Sequence, residues 1–366
     1  MYILVIKQLG TMLFIVLAGF IFAKAFKFKE SEQKFVSKFL LYLINPCLIF
    51  TSFDKEFNPL KLKQLLIVIF ISLIIHLVMI LIATIFTLTK NPQKKTYAGV
   101  NRLAIIFTNC GFIGIPLING IFGDDGVFFL MGYLVIFNIA LWTYGYFQMS
   151  ASVNFKKIIT NPNVLAVLLG ILIFCLPFRI PQFISKPIEM IGSLNTPTAM
   201  ILIGMLFANF SVKKPTEVTL NAKPTVSTEV AVSEKKVALG TEPTVVAEKL
   251  PLNEEKSAET EELAVGGRNY IFMLAKTIFL RLVLCSFVNL AILFVCYKVI
   301  HKIPDSRLMI FVIFISSLCP TATSVPSLAC IFEKDSTYAS FLVSLSSLFC
   351  IISVPLFVAL AEVLIK

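Results

Sequence analysis

Two short stretches gather Gly, Pro and small polar residues inside otherwise apolar sequence: Asn109-Cys-Gly111-Phe-Ile-Gly114-Ile-Pro116 and Cys319-Pro320-Thr321-Ala-Thr323-Ser324-Val-Pro326. Proline removes a backbone donor and clashes with the preceding helical turn. Glycine tolerates irregular backbone. Loosened backbone within a membrane survives only inside protein or beside a watery cavity. The free N–H groups at the start of the second half-helix then face that cavity, with partial positive charge for an anion. Asn109, Gly111, Gly114, Pro116, Cys319, Pro320, Thr321, Thr323, Ser324 and Pro326 are therefore candidate anion-site residues. Two more amides interrupt apolar sequence beside prolines, Asn45 before Pro46 and Asn195 before Thr196-Pro197.

Arg281 adds a charge to this set. It lies 11 residues beyond Tyr270, or roughly 16 Å into its apolar segment at a rise of 1.5 Å per residue. That depth is near the middle of a bilayer, where a charge costs at least about 2.5 kcal/mol on insertion scales. Three roles stay open for it: pairing with backbone carbonyls, balancing a passing anion, or steering gating between states. His76 lies at the same depth of its own segment, 11 residues beyond Leu65, and suits a neutral, hydrogen-bonded core residue.

The elements that must position these residues follow from composition. Of 366 residues 57% are hydrophobic and 14% charged, with 35 Phe. A soluble chain would be about one-quarter charged, so soluble enzymes, nucleic-acid binders and secreted disulfide scaffolds fit poorly. A bilayer core of about 30 Å takes roughly 20 apolar helical residues per crossing. Ten segments meet or nearly meet that need, the sixth being short and bracketed by Pro162 and Pro177: 2–26, 35–53, 65–88, 102–122, 127–149, 163–178, 184–210, 270–297, 307–332 and 337–365. The fold class expected is an all-α polytopic membrane protein.

An internal repeat orders the ten spans. Span 4 ends Pro116…Ile121-Phe122…Asp125 and span 9 ends Pro326…Ile331-Phe332…Asp335, at identical offsets. Spans 2 and 7 share their mid-segment Asn and Pro, again five spans apart. Five is odd, so the halves are upside down relative to each other. Inverted repeats with helices broken near the midplane are a common plan of secondary transporters. The expected organisation is a first five-helix repeat over 1–149 and a second over 163–210 and 270–366.

The stretch 211–269 holds 8 basic and 10 acidic residues of the chain's 32 and 21. It shows no helical or strand period, and it reads as a disordered linker between spans 7 and 8. The excess of Lys and Arg elsewhere marks cytoplasmic loops. Lys24, Lys27, Lys29, Lys34 and Lys38 follow span 1. Lys90, Lys94, Lys95 and Arg102 follow span 3, and Lys156 and Lys157 follow span 5. Both termini are expected outside and 211–269 in the cytoplasm. Lys24 and its neighbours come after the first apolar run, so this run is read as a retained span rather than a signal peptide.

The eight cysteines form no CxxC pair, and His76 and His301 are the two histidines. Packing thiols are expected, with no metal and no cofactor. No HExxH or carboxylate dyad is present for an intramembrane hydrolase.

At these residues the chain resembles the auxin efflux carrier family, which includes plant auxin exporters and bacterial malate or malonate permeases. The motifs are Leu43-Ile-Asn45-Pro46-Cys-Leu-Ile-Phe50, Asn109 to Gly123, Leu194-Asn195-Thr-Pro197 with Ile203-Gly204-Met205, and Cys319 to Phe332. The resemblance implies two inverted five-helix repeats with broken helices 4 and 9 crossing, and an elevator-like carrier of small organic anions. It implies Asn109 as a ligand of substrate carboxylate, and Pro116 and Pro326 as crossover prolines. The chain departs from the family in two ways: span 9 has no asparagine at its break, and the polar insert follows span 7.

Alternatives are a cation-coupled carrier of the bile-acid/sodium or sodium/proton type, and a membrane receptor signalling through the linker. The first wants an intramembrane carboxylate, whereas the 11 acidic residues outside 211–269 sit at or near span ends. Expected partners are a small organic anion and the lipid bilayer, with a homodimer left open and no nucleic acid. The expected location is the plasma membrane.

Overall fold

The computed structural model describes residues 1–150, 162–176, 180–208, 267–332 and 334–365. The expected linker 211–269 lies outside these, apart from 267–269, which already belong to a helix. Every regular element among the described residues is helical.

Helix α1 (Tyr2–Ala25) is followed by α2 (Glu30–Phe39), which runs through a π-helical turn Leu40–Ile44 into α3 (Asn45–Ser52). Helix α4 (Pro59–Thr87) starts where Asn58 accepts N–H bonds from Leu60 and Lys61, a side-chain N-cap with proline in the first turn. Helix α5 (Pro92–Ile106) stops at the first break. The chain resumes in a π-helical turn, Cys110–Gly114, and continues as α6 (Ile115–Ala140), a second such turn (Leu141–Gly145) and α7 (Tyr146–Ser150). Gly123 bends α6 with a φ of 62°, a value that glycine adopts without strain. This bend falls where the sequence separates spans 4 and 5.

Helices α8 (Pro162–Cys175), α9 (Gln182–Ser193) and α10 (Asn195–Ala208) follow. Span 7 is therefore divided at Leu194, immediately before the Asn195-Thr-Pro197 motif. Helix α11 (Gly267–Phe279) passes through a π-helical turn at Leu280–Leu284 into α12 (Cys285–Ile300). Then come α13 (Ser306–Leu318), the second break, α14 (Ser324–Ile331) and α15 (Ser336–Leu364), the last capped by Asp335 on the Tyr338 N–H.

Among the described residues six helical runs are long and apolar enough to cross a membrane: Tyr2–Ala25, Ser31–Ser52, Pro59–Thr87, Cys110–Met149, Tyr270–Ile300 and Ser336–Leu364. Pro162–Cys175 and Ser306–Leu318 are apolar but shorter. Span 4 differs from the expected 102–122, because its first half begins at Pro92. The polar Lys94 and Lys95 mask that helical turn from a hydropathy count.

The core lies where the broken helices meet. From Met309 to Leu318 α13 is buried on all sides, as is α6 from Gly126 to Leu134. A helix apolar and buried all round belongs at the centre of a bundle. The outer helices instead show one apolar face to the surroundings, with Phe14 77% and Phe70 63% exposed. That is the pattern lipid contact requires.

Candidate functional site

The two breaks cross. Thr108 pairs with Thr321 in an antiparallel bridge. The Asn109 N–H donates to the Pro320 carbonyl at 2.7 Å, and the Ala322 N–H donates to the Phe107 carbonyl at 2.9 Å. Two extended tripeptides thus satisfy one another in the middle of the protein, where each would otherwise leave backbone groups bare.

This exchange strips the preceding half-helices of their usual donors. In a continuous helix the Ile105 carbonyl would take the N–H of Asn109, and the Ser317 carbonyl that of Thr321. The Asn109 N–H is spent on Pro320, and the Thr321 N–H donates to Ser346 Oγ at 3.1 Å. The carbonyl ends of α5 and α13 need other partners. Thr321 Oγ1 donates to the Ala104 carbonyl at 3.1 Å. Arg281 supplies partners for three more. Its Nη1 donates to Ile105 O at 3.2 Å and its Nη2 to Ser317 O at 2.6 Å. Nη2 and Nε both donate to Cys319 O, at 2.7 and 3.2 Å.

Arg281 is 1% exposed and stands in the π-helical turn between α11 and α12. Turns of this kind recur at functional positions in helices. Of the three roles open to Arg281, the geometry displays carbonyl pairing. A guanidinium also places positive charge at two helix C-termini, where the helix dipoles favour it.

On the other side of the crossing is a cavity of about 20 Å³, lined by Asn109, Ile203, Phe207, Thr323, Val343, Ser344 and Ser347. Asn109 is 4% exposed, and its Nδ2 donor has no partner among the described residues. Ser324 Oγ, at the start of α14, is likewise buried without a partner. The two unmet polar groups, beside a hollow whose lining is otherwise mostly apolar, are where acceptor oxygens would be received. A hollow of this size holds about one water.

The remaining candidates divide. Gly114 lets the first break approach the second, since a Cβ there would stand 3.3 Å from Cys319 Sγ. Cys319 and Pro320 are buried in the crossing itself. Pro116 and Pro326 lie beyond it, inside the second half-helices, and the Pro116 carbonyl accepts from Gln8 Nε2 at 3.3 Å. Gly111 faces open space. Asn45 and Asn195 bond to each other and do not line the cavity. His76 donates from Nδ1 to the Ser72 carbonyl at 2.7 Å and packs on Tyr133, which is a core role. Among the described residues no group of three His, Cys, Asp or Glu is placed to hold a metal.

Ser344, Ser346 and Ser347 escaped the sequence reading, as did Ile203 and Phe207 as wall residues. A stripe of serines through apolar α15, Ser340, Ser344 and Ser347 at helical spacing, is the signal that was available.

Apolar helices broken and crossed near the centre of a bundle are a common plan of membrane transporters. A family model described as membrane transport protein matches residues 4–154 and 150–358, and the chain belongs to that family. The resemblance to the auxin efflux carriers is thereby borne out. The chain is also similar to an uncharacterized transporter of Methanocaldococcus jannaschii, 26% identical over 215 residues, which are 55% of this chain and 68% of that one.

Proposed function

We propose that the protein is a secondary transporter of a small organic anion, a carboxylate or dicarboxylate such as malate, malonate or an auxin-like acid. The observation that carries this reading is the Asn109 Nδ2 donor, buried at the crossing without a partner among the described residues, with Thr323 and Ser347 in the same hollow. The helices that begin beyond the two breaks add their N–H groups and dipoles. An anion binds by accepting these bonds, and the crossed halves move as a body to present it to the other face, an elevator-type alternating access.

The ten-span reading, two inverted five-helix repeats with crossing helices 4 and 9, is supported by matched pairs. The breaks meet through Thr108 and Thr321, and spans 2 and 7 meet through Asn45 and Asn195. Loops after even-numbered spans gather at one end, where Lys61 bridges Asp125 and Asp305. The amino terminus pairs with Glu362 of α15 at 2.6 Å, so both chain ends share a side. An even number of crossings requires that. In this reading the shared side is outside, 211–269 is cytoplasmic, and the membrane is the plasma membrane.

The test is counterflow. Purified protein in liposomes preloaded with malate or malonate should take up the radiolabelled anion faster than empty liposomes do. No flux for any of a panel of mono- and dicarboxylates would sink the reading.

A further inference from the structure

The carbonyls around Arg281 form a site in their own right. Ile105 O closes α5, Ser317 O closes α13, and Cys319 O belongs to the unwound stretch between α13 and α14. Three carbonyl oxygens from two broken helices surround one guanidinium, with two negative dipole ends behind them. Carriers with broken helices bind their coupling cation with such groups, unwound carbonyls and half-helix C-terminal ends. Here that cation's place is taken by a side chain tethered to the intervening helix. Among the described residues no carboxylate pairs with Arg281, so its charge is answered by the carbonyls alone.

We propose that Arg281 is a built-in cation: its guanidinium permanently fills the carbonyl cluster where a coupled carrier would bind an inorganic ion, so this protein moves its anion without that ion. The inference rests on the carrier reading above and deepens it. Arg281 is a positioning residue here. It holds the crossing shut on its carbonyl side while the N–H side, with Asn109, stays available to the anion. A fixed charge cannot be loaded and released, so no cation gradient enters through this site. The arrangement also accounts for the expense of a charge at this depth. A neutral side chain of equal length would leave the two helix ends and their dipoles uncompensated.

The experiment compares the wild-type protein with Arg281→Ala, Arg281→Gln and Arg281→Lys, each purified and reconstituted, in sodium, potassium, N-methylglucamine and millimolar guanidinium. Wild-type flux should be the same in all four. Arg281→Ala and Arg281→Gln should fall at least about tenfold in N-methylglucamine, since even one of the three carbonyls left unpaired would cost about that much. Guanidinium or a small inorganic cation should restore them, and Arg281→Lys should need no added cation. A second readout is independent of transport. The melting temperature of Arg281→Ala or Arg281→Gln should rise with guanidinium or inorganic cation, by linkage to an emptied cation site, while that of the wild type stays fixed. Wild-type flux that requires sodium or potassium overturns the proposal. So do Arg281→Gln flux equal to wild type in N-methylglucamine, or a defect and a melting temperature that no cation shifts. If the wild type moves no anion at all, the carrier reading fails, and the melting series still decides whether the carbonyl cluster binds cations. If Arg281→Ala does not fold, Arg281→Gln and Arg281→Lys carry the test.

Discussion

Asn195 donates a side-chain hydrogen bond to Asn45, 150 residues earlier in the chain. Both amides are buried, at 2% and 4% exposure, and each opens a helical segment with a proline close behind. The pair thus joins the end of the π-helical turn within span 2 to the point at which span 7 is divided. Hydrogen bonds between membrane helices average about 0.6 kcal/mol and reach about 1.7. A double-mutant cycle of Asn45→Ala and Asn195→Ala, read by reversible unfolding in detergent, should return a coupling in that range. A coupling of zero would show that the two amides are independently satisfied.

Asn109→Ala should remove anion binding and flux while leaving the melting temperature nearly unchanged. The Asn109 main chain makes the crossing, through its N–H to Pro320 and its carbonyl to Ile113. Alanine keeps both. Only the unpartnered Nδ2 donor and its amide oxygen are lost, so stability has little to lose. Normal flux from a well-folded Asn109→Ala protein would move the binding site elsewhere.

Much of this arrangement was legible in the sequence. Gly and Pro within apolar runs mark where a membrane helix cannot stay regular, so the breaks near Asn109 and Pro320 could be placed from residue types alone. The crossing itself could not be read that way. The groups that satisfy Ile105 O and Ala104 O come from 176 and 217 residues away, and local sequence carries no trace of such pairings. Arg281 showed as an anomaly of depth and charge, yet its purpose depends on carbonyls orphaned in two other helices. Span limits failed for a different reason. Hydropathy averages over all faces, so it passed over the start of α5 at Pro92, where lysines sit on a helix that also buries Leu103. It also had no means of seeing the division at Leu194.

Deleting about residues 216–262 should leave folding and flux intact, because the composition of that stretch cannot bury enough apolar surface to offset its ordering. Its loss leaves a short connection between α10 and α11, both of which are then unaltered. The measurement is expression, melting temperature and counterflow of the deleted chain beside the full one. Loss of the folded protein would show that the stretch is structural.

Gly204→Ala should be costly, and Gly10→Ala should not. Helices α1 and α10 pack along their length with backbones in direct approach. A Cβ on Gly204 would stand 2.1 Å from the Val16 carbonyl oxygen and 2.6 Å from the Phe20 nitrogen. Gly19 on α1 faces the same constraint from the other side, 2.5 Å from the Ile201 oxygen. Small residues let membrane helices approach this closely and pack without a hydrophobic driving force between them. The obstructing atoms here are backbone, so they cannot swing aside, and the helices must separate. Overpacking of this kind typically costs about 1–3 kcal/mol. Ile203 and Phe207 on the same helix line the hollow at Asn109, so displacing α10 should reshape the site and lower flux as well as stability. Gly10, on α1, has nothing within 4 Å of its added Cβ and serves as the control. Its alanine variant should stay within about 0.5 kcal/mol of wild type and retain flux. Equal melting temperatures for the two variants would mean that α1 and α10 do not meet at Gly204 as described.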